Sequence, residues 1–485
     1  MSVKTSELRK TLGQINELAT PVELEAQNLH WDMERVFRNL SQDTDGTFGI
    51  YGRAKLRSAY QPILSITHRR VVGYEALLRP YYDDGSQSSP ADLLASSAAR
   101  GEQLIVDRVS RAAHVANYGA ARGNAWLFLN MHPDVFSVGS RTRILPKQLL
   151  QRYDLSPQQI VLELLEQQSY DETAFNEASA EYRAQGFMLA IDDFGSGQSN
   201  FDRVWNMHPD FVKLDRSLVQ RAEDSLANQR MVRHIVALLH QAGTMVVAEG
   251  VETRRQALVM MEADVDFLQG FWLGHPSPAV SDAQAKLAVE RLNEAWDSFA
   301  HYDETLERER AQSLKPFRAG LKTAAHVLAT EGDVARAAAI FFSVPGTLRF
   351  FILDDRGVMN LPAQVNAFRT RLDNPSLRPL QPDVDSNWSR RAYFKQALKN
   401  LGKVVIVGPH YSLTDGQGVY TAAIAQEQGG NVSVLCGDFE LASERTMPEV
   451  LCRAHPSDGN THAEDFDPTL SVIGLASGMP RPFWP

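Results

Sequence analysis

Between about residues 57 and 275, short apolar runs alternate with longer stretches of helical periodicity. Eight of the runs have the length and composition of buried strands. They lie at residues 58–66, 71–79, 125–131, 159–164, 187–191, 210–214, 244–248 and 264–268. Helical stretches fall between most of them, for example at 91–116, 217–242 and 254–262. This alternation predicts an α/β fold, a TIM-like (β/α)8 barrel, in preference to an open sheet.

The first two predicted strands are joined by residues 67–70 alone. A parallel pair needs a crossover of a dozen or more residues, so we expect the first strand to be antiparallel to the second.

The chain before the barrel, residues 1–50, reads as one or two amphipathic helices. Leu8, Leu12, Ile15 and Leu18 have helical spacing, and residues 43–46 break the pattern. These helices could cap the next domain or mediate dimerisation, and a plain packing role is the preferred interpretation.

After a barrel domain at 51–280, residues 281–340 are rich in helix formers and predict a long connecting helix, interrupted at Pro316, and a second helical piece. Such a connector either transmits movement or is a passive spacer. Residues 341–485 then change character. Strands are predicted at 348–354, 403–407, 419–425 and 431–435, with a short helix at 393–398. This predicts a small α+β domain on an antiparallel sheet, joined to the barrel by the long helix.

Composition narrows the classes of function. The 485 residues are 44% hydrophobic, which predicts two or three domains with real cores. The formal net charge of -10 argues against a general nucleic-acid binder or membrane-surface binder. The two cysteines, Cys436 and Cys452, form no metal-ligand cluster. Neither a signal peptide nor a membrane span is predicted, so we expect a cytoplasmic protein.

Polar residues stand where nearly every predicted barrel strand ends. Asp192-Asp193, followed by a glycine loop, would by itself be an ordinary acidic turn. The strand-end residues are Glu75, Asn130, Glu163, Asp192, Asp193, Lys213, Glu249 and Gln269. In a barrel such ends converge on one face, and carboxylate and amide oxygens are ligands for hard cations such as Mg²⁺ or Mn²⁺.

The same residues carry a resemblance to a known family. The segments Tyr74–Arg79 (YEALLR), Leu129-Asn130, Leu162–Glu166 (LELLE), Asp192–Gly195 (DDFG), Val212–Asp215 (VKLD), Ala248–Glu252 (AEGVE) and Gln269-Gly270 occur in this order. Together with Tyr60–Ile63 (YQPI), they resemble the EAL-domain cyclic-di-GMP phosphodiesterases, over roughly residues 57–277.

This resemblance implies hydrolysis of cyclic di-GMP to linear pGpG with Mg²⁺ or Mn²⁺, two ions per site, in a homodimer. It implies metal ligation by Glu75, Asn130, Glu163, Asp192, Asp193 and Glu249, with Glu249 binding directly or through water. Catalysis is assigned to Lys213, next to the attacking water, with Glu249 and Glu75. The substrate-binding positions are Gln61, Leu77, Arg79, Asp215 and Gln269, and Glu166 steadies the loop after Asp193. Asp215 could instead pair locally.

Two departures from the family pattern fall near that loop, at Gln198 and Leu165. They bear on basal rate and control, not on the charged ligands. A cyclic-di-GMP receptor that does not cleave is the alternative, and an inert scaffold is the third hypothesis. Receptors of this fold lack several acidic ligands that this chain retains, which favours the enzyme.

The C-terminal segment resembles the PAS/Cache sensor domains, especially at 388–394 and 408–412. Arg391, Tyr393, Tyr411 and Asp415 are candidates for a pocket that binds a small unknown ligand, or else are core and turn residues.

Overall fold

The computed structural model describes residues 33–121, 124–132, 147–165, 172–197, 201–367, 383–413 and 418–441. The chain divides between Phe299 and Ala300 into two compact units, which are treated separately below. Within the described ranges, no helix has both the length and the apolar character needed to cross a membrane.

The first unit is built on one ten-stranded sheet in which eight strands close into a barrel. The strands are β1 (Leu40–Asp43), β2 (Gly46–Tyr51), β3 (Ala54–Ser65), β4 (Arg70–Tyr82), β5 (Trp126–Asn130), β6 (Ile160–Leu165), β7 (Met188–Phe194), β8 (Phe211–Leu214), β9 (Met245–Ala248) and β10 (Phe267–Leu268). Closure occurs at β3, which pairs with both β4 and β10. Both pairings of β3 are antiparallel, whereas β4 to β10 pair in parallel. The predicted barrel and its antiparallel first strand are confirmed.

Helices follow most of the barrel strands. In the first unit they are α1 (Met33–Arg38), α2 (Pro90–Ala98), α3 (Gln103–Ala121), α4 (Lys147–Arg152), α5 (Glu172–Ala184), α6 (Phe201–Met207), α7 (Arg216–Asp224), α8 (Leu226–Gln241) and α9 (Arg254–Glu262).

Two of the predicted helices are each divided into two. The stretch 91–116 is interrupted because Gly101 has φ of +67°, a left-handed conformation that ends a helix. The stretch 217–242 is interrupted at Ser225, whose extended backbone ends α7 and whose hydroxyl accepts a hydrogen bond from Asn228 N at 3.2 Å to begin α8.

Residues 33–50 are the part of the N-terminal segment that the structure describes, and the helical prediction is wrong for most of them. Only Met33–Arg38 is helical, and β1 and β2 form a hairpin that extends β3. Asp43 pairs with Gly46 across the turn, and Gly46 has φ of +113°, which favours glycine. The turn residues that seemed only to end a helix therefore join two strands. Residues 1–32 lie outside the described ranges.

A layer of apolar side chains, one from each of seven strands, fills the barrel interior. Its members are Ile63, Phe128, Val161, Ala190, Phe211, Val247 and Phe267. Phe128 packs edge-on against Phe211 with ring centroids 5.3 Å apart. At Gly73 on β4 an added Cβ would lie 2.8 Å from the Phe128 ring, so glycine makes room for that side chain. Burying each large side chain contributes roughly 1.5–3 kcal/mol to folding stability. The polar residues at the strand ends lie directly above this apolar layer.

The long helix α10 (Asp282–Glu331) is a single element of 50 residues, and Pro316 is one of its interior residues. The predicted interruption at Pro316 is wrong. Proline removes one helical hydrogen bond, but the adjacent Phe317 and the nearby Leu321 are buried in the core of the second unit. Packing of an apolar face contributes more to helix stability than local propensity does, so the helix continues.

The second unit holds a five-stranded antiparallel sheet covered on both faces. Its strands are β11 (Thr347–Asp354), β12 (Gln364–Val365), β13 (Val405–Tyr411), β14 (Gly418–Gln428) and β15 (Asn431–Phe439), in the order β12-β11-β15-β14-β13. One face packs against α10 and α11 (Val334–Phe342), and the other against α12 (Ala392–Lys399). Alternation along β15 supplies both cores, with Leu435 on one side and Cys436 on the other. The predicted strands and short helix are confirmed.

Stability of the first unit should depend on the protonation of a buried histidine on α3. His114 shares a hydrogen bond of 2.7 Å with the Ser58 hydroxyl. Burial, with Arg79 and Arg111 nearby, lowers the pKa of His114 from 6.5 to about 3. Between pH 6.5 and pH 3, His114 is therefore protonated in the unfolded chain and neutral in the folded protein. Stability from this group is complete above pH 6.5 and is lost as the pH falls towards 3, by about 1.4 kcal/mol per pH unit.

We therefore expect His114→Asn, whose amide can still bond to Ser58, to lose less stability than the unaltered protein when the pH falls below 6.5. Urea unfolding of both proteins at pH 7 and pH 5 measures the difference. Equal losses of stability in the two proteins would contradict the assignment.

Candidate active site

The polar residues at the barrel strand ends face the interior because each lies two positions after a member of the apolar layer. Side chains two residues apart on a strand share a face. The pairs are Phe128 and Asn130, Val161 and Glu163, Ala190 and Asp192, Phe211 and Lys213, Val247 and Glu249, and Phe267 and Gln269. The carboxyl ends of β5 to β10 thus place their polar groups together above an apolar floor.

Lys213 is the centre of this group and only 1% of its side chain is exposed. Its Nζ lies 2.5 Å from Glu163 Oε1 and 2.5 Å from Glu249 Oε1. Asp192 Oδ1 is at 3.1 Å and Glu75 Oε2 at 3.3 Å. One ammonium therefore contacts four carboxylates, three of them on β4, β6 and β7 and the fourth directly after β9.

The crowding shifts every pKa in the cluster. Burial opposes the charge on Lys213, but Asp192, Glu163 and Glu249 outweigh it and raise the Lys213 pKa well above its usual range. Burial raises the pKa of Glu163 and of Glu249, and Lys213 only partly offsets this. Glu75 is the exception, because Lys213 together with Gln269 and Asn130 lowers its pKa despite burial. The cluster thus holds more acidic groups than its one ammonium can keep ionised.

The paired aspartates sit at an irregularity in β7. Pairing with β8 shifts register between Ile191 and Phe194, the position of Asp192-Asp193. Asp193 has φ of +56°, which is uncommon for a residue other than glycine and occurs at functional sites. Such a bulge re-aims side chains. Carboxylate oxygens of Asp192, Asp193 and Glu249 can accordingly lie within 4.8 Å of one another. Burial, and then the charge of Asp192, raises the pKa of Asp193 to about 7.

These residues fit a divalent cation. The donors are carboxylate oxygens with an amide nearby, the ligand type of Mg²⁺ and Mn²⁺. Gln269 Oε1 is buried and accepts no hydrogen bond from the part of the chain that the structure describes. A cation would offset the burial, and the repulsion between carboxylates, that together raise the pKa values of Asp192, Asp193 and Glu249.

A chain of amides orients Glu75. Asn130 Nδ2 donates to Glu75 Oε1 at 3.0 Å, and Gln269 Nε2 donates to Glu75 Oε2 at 2.6 Å. Gln61, predicted to bind substrate, is engaged within the protein: its Nε2 donates to Gly274 O, and its Oε1 accepts from Gln269 at 3.2 Å. Both oxygens of Glu75 are thereby fixed before any ligand binds.

None of the remaining predicted site residues that the structure describes pairs with Lys213. Leu77 and Arg79 follow Glu75 at alternate positions of β4 and share its face, and Arg79 donates to Leu78 O at 2.9 Å. Asp215 accepts a hydrogen bond from Ser217 N at 2.9 Å and so caps α7. That contact favours the local role over a direct one. Glu166, Gln198 and Asp415 lie outside the described residues.

Two buried charged residues of α3 contact this region and were not predicted as site residues from the sequence. Asp107 and Arg111 form an ion pair, and both contact the residues that follow Asn130. The available signal was their spacing of four, which places both on one helix side among buried apolar residues.

Replacing the central ammonium should destabilise the metal-free protein. We expect Lys213→Met, in the presence of a chelator, to lower the free energy of unfolding by about 3 kcal/mol, because buried carboxylates lose their counter-charge. Added Mn²⁺ should restore more stability to the variant than to the unaltered protein.

The matched control for this change is Lys55→Met. Lys55 pairs with Asp83 at 3.3 Å on the surface, where an ion pair contributes little. Thermal unfolding with and without Mn²⁺ measures both variants, and equal stability of Lys213→Met and Lys55→Met in chelator would be the contrary result.

Comparison with known proteins places the barrel in a family. Residues 50–276 match the model of the EAL domain. The chain is 35% identical over 135 residues to the probable cyclic di-GMP phosphodiesterase PdeA of Escherichia coli, which covers 27% of this chain and 18% of that protein. It is 29% identical over 219 residues to the probable cyclic di-GMP phosphodiesterase PdeB of the same organism, covering 44% and 41%. The chain thus spans less than half the length of these relatives.

Another similarity reaches beyond the barrel. The EAL-domain containing protein YkuI of Bacillus subtilis is 24% identical over 376 residues, which is 75% of this chain and 89% of that protein. The crystal structure of YkuI in complex with c-di-GMP and calcium superposes with a TM-score of 0.68 at 21% identity, covering 80% of this chain and 97% of that one. This shows a shared fold. Residues 50–276 are therefore an EAL domain, and its relatives include proteins named as cyclic di-GMP phosphodiesterases.

Proposed function

We propose that this chain hydrolyses one phosphodiester bond of cyclic di-GMP and releases linear pGpG, with Mg²⁺ or Mn²⁺ as cofactor and two ions per site. The observation that carries the proposal is the contact of Lys213 with four carboxylates at the barrel strand ends. The names of the E. coli relatives and the ligands of the YkuI crystal structure support the same substrate and a divalent cation.

The predicted metal ligands are Glu75, Asn130, Glu163, Asp192, Asp193 and Glu249. Bound cations would polarise the attacking water and neutralise charge on the phosphate. The fixed orientation of Glu75, held by Asn130 and Gln269, means that little rearrangement is needed when the site fills.

Lys213 remains an ammonium because of its carboxylate neighbours, so it donates hydrogen bonds and does not act as a base. It would stabilise the negative charge that develops on the phosphate. Arg79, on the same face of β4 as Glu75, is proposed to bind a substrate phosphate. In the reaction the water oxygen bonds to phosphorus and the bond from phosphorus to a ribose 3′ oxygen breaks. The 3′ oxygen takes up one proton of that water and becomes a hydroxyl group.

The proposal is tested with purified protein, cyclic di-GMP and Mn²⁺, by chromatography of pGpG. We expect turnover in the unaltered protein and a loss of at least about 100-fold in Glu75→Gln and Asp192→Asn. Changing a residue that only contacts a metal ligand commonly lowers metal affinity or activity about 10- to 100-fold, so losing a ligand itself should lower turnover at least as much.

The matched control is Glu177→Gln, the same chemical change on the exposed surface of α5, which should retain full turnover. Binding of cyclic di-GMP without cleavage would favour the receptor alternative, and no binding at all would favour an inert scaffold.

For the second unit we propose a PAS/Cache-like sensor domain that regulates the barrel. The five-stranded antiparallel sheet with α12 on one face supports this. Three of the four predicted pocket residues, Arg391, Tyr393 and Tyr411, line a concavity beside α12.

The concavity has charged groups of both signs. Arg349 Nε lies 3.5 Å from Asp438 Oδ2, both side chains are buried, and Asp438 accepts from Thr421 Oγ1 at 2.6 Å. Arg391 adds a second cation to the lining. We propose that it takes a small charged ligand such as an amino acid or a short dicarboxylate. A homodimer and a cytoplasmic location stay predictions.

The pocket is tested by thermal unfolding of the full chain with each common amino acid and each C3 to C5 dicarboxylate at millimolar concentration. At least one compound should raise the melting temperature, because a ligand that binds only the folded state stabilises it. The shift should disappear in Arg391→Ala. It should persist in Arg390→Ala, which alters the exposed neighbour. No shift with any compound, or an equal shift in Arg391→Ala, would contradict the proposal.

A further inference from the structure

The ion pair of α3 is unusually well buried. Arg111 has 2% of its side chain exposed and Asp107 has 7%, and Arg111 Nη2 donates to Asp107 Oδ2. Their helix neighbours Val106, Val109 and Ala112 are buried and apolar.

Stability alone does not account for this pair. Removing two charges from water is costly, and apolar residues of similar volume at such positions are often as stable or more stable. A role beyond holding the helix in place is therefore indicated.

Each member of the pair contacts one of the two residues that follow β5. Asp107 Oδ1 accepts a hydrogen bond from His132 N at 3.1 Å. Arg111 Nη1 lies 3.0 Å from the sulfur of Met131. Met131 N in turn donates to Glu163 O at 3.0 Å, which continues the pairing with β6. The pair therefore fixes the backbone immediately after Asn130.

Asn130 is the residue whose orientation depends on this backbone. Its register partner on β6 is Glu163, and its Nδ2 donates to Glu75 Oε1 at 3.0 Å. Since the amide nitrogen is committed to Glu75, the amide oxygen is the atom of Asn130 that can bind a cation.

We propose that Asp107 and Arg111 are positioning residues that hold Asn130 in the orientation in which its amide oxygen binds the divalent cation. This inference rests on the proposed function, because it requires a cation at the barrel strand ends. Groups that orient metal ligands from outside the coordination shell commonly change metal affinity about 10- to 100-fold when altered.

The test measures Mn²⁺ binding directly, by the electron paramagnetic resonance signal of free Mn²⁺ in a titration of the full chain. It requires no turnover. The variant Asp107→Leu with Arg111→Met removes both charges together and leaves neither stranded. We expect its Mn²⁺ affinity to fall about tenfold while its melting temperature stays near that of the unaltered protein.

A second Asp–Arg pair in the barrel is the matched control. Asp210 Oδ2 accepts from Leu189 N at 2.8 Å and lies 3.4 Å from Arg183 Nη1. It has the same kind of contacts, but it directly precedes β8, at the strand starts and away from the polar ends. Asp210→Leu with Arg183→Met should bind Mn²⁺ with unaltered affinity.

A double-mutant cycle identifies the route of the effect. In an Asn130→Ala background, replacing the α3 pair should cause no further loss of Mn²⁺ affinity, because the residue through which the pair acts is gone. A full additional loss in that background would overturn the proposal, since it would show a general structural effect.

The remaining outcomes are also decisive. Unaltered Mn²⁺ affinity in the α3 double variant would overturn the positioning role alone. Absence of Mn²⁺ binding in the unaltered protein would instead contradict the proposed function. If the double variant does not fold, Arg111→Lys keeps the buried charge but lacks the planar fork that reaches both Asp107 and Met131. Its affinity should also fall, and an unchanged value would count against the proposal.

Discussion

The contact between Lys213 and four buried carboxylates is the interaction on which the candidate site depends. Three of the acids lie on β4, β6 and β7 and the fourth directly after β9, and the ammonium that joins them comes from β8. Buried carboxylates at such distances would repel one another without a counter-charge. Lys213 lets the acids of the cluster stay together in the folded protein, and their carboxylate oxygens are ligands that a hard cation prefers.

The barrel supplies the geometry that this cluster requires. Its interior layer, including Phe128, Phe211 and Phe267, excludes water directly beneath the polar residues. Low polarity beneath the site strengthens each electrostatic interaction above it. The strand-end acids therefore act on one another more strongly than they would on a surface, and burial, followed by this repulsion, raises the pKa values of Glu163 and Glu249.

Much of this arrangement could be predicted from the sequence. The eight apolar runs and the four-residue link at 67–70 specified a barrel whose first strand is antiparallel, because strand period and crossover length are local properties. The strand-end positions of Glu163, Asp192 and Lys213 predicted convergence for the same reason. Local patterns failed where distant packing decided the outcome. β1 pairs with β2 and β2 with β3, so neither segment is helical. The helix α10 continues through Pro316 because Phe317 is buried in a core formed by residues far along the chain.

The sequence by itself thus determined the eight barrel strands, the acidic strand ends and the class of cation they suit, because these depend on residue type and spacing. Only the tertiary structure decided which groups touch. It placed the Lys213 ammonium between four acids, committed Gln61 to Gln269 and Gly274, and gave Asp215 a helix-capping contact. It also brought Asp107 and Arg111 against the residues after Asn130. Contacts between segments far apart in sequence depend on how the chain closes, and no local pattern encodes that distance.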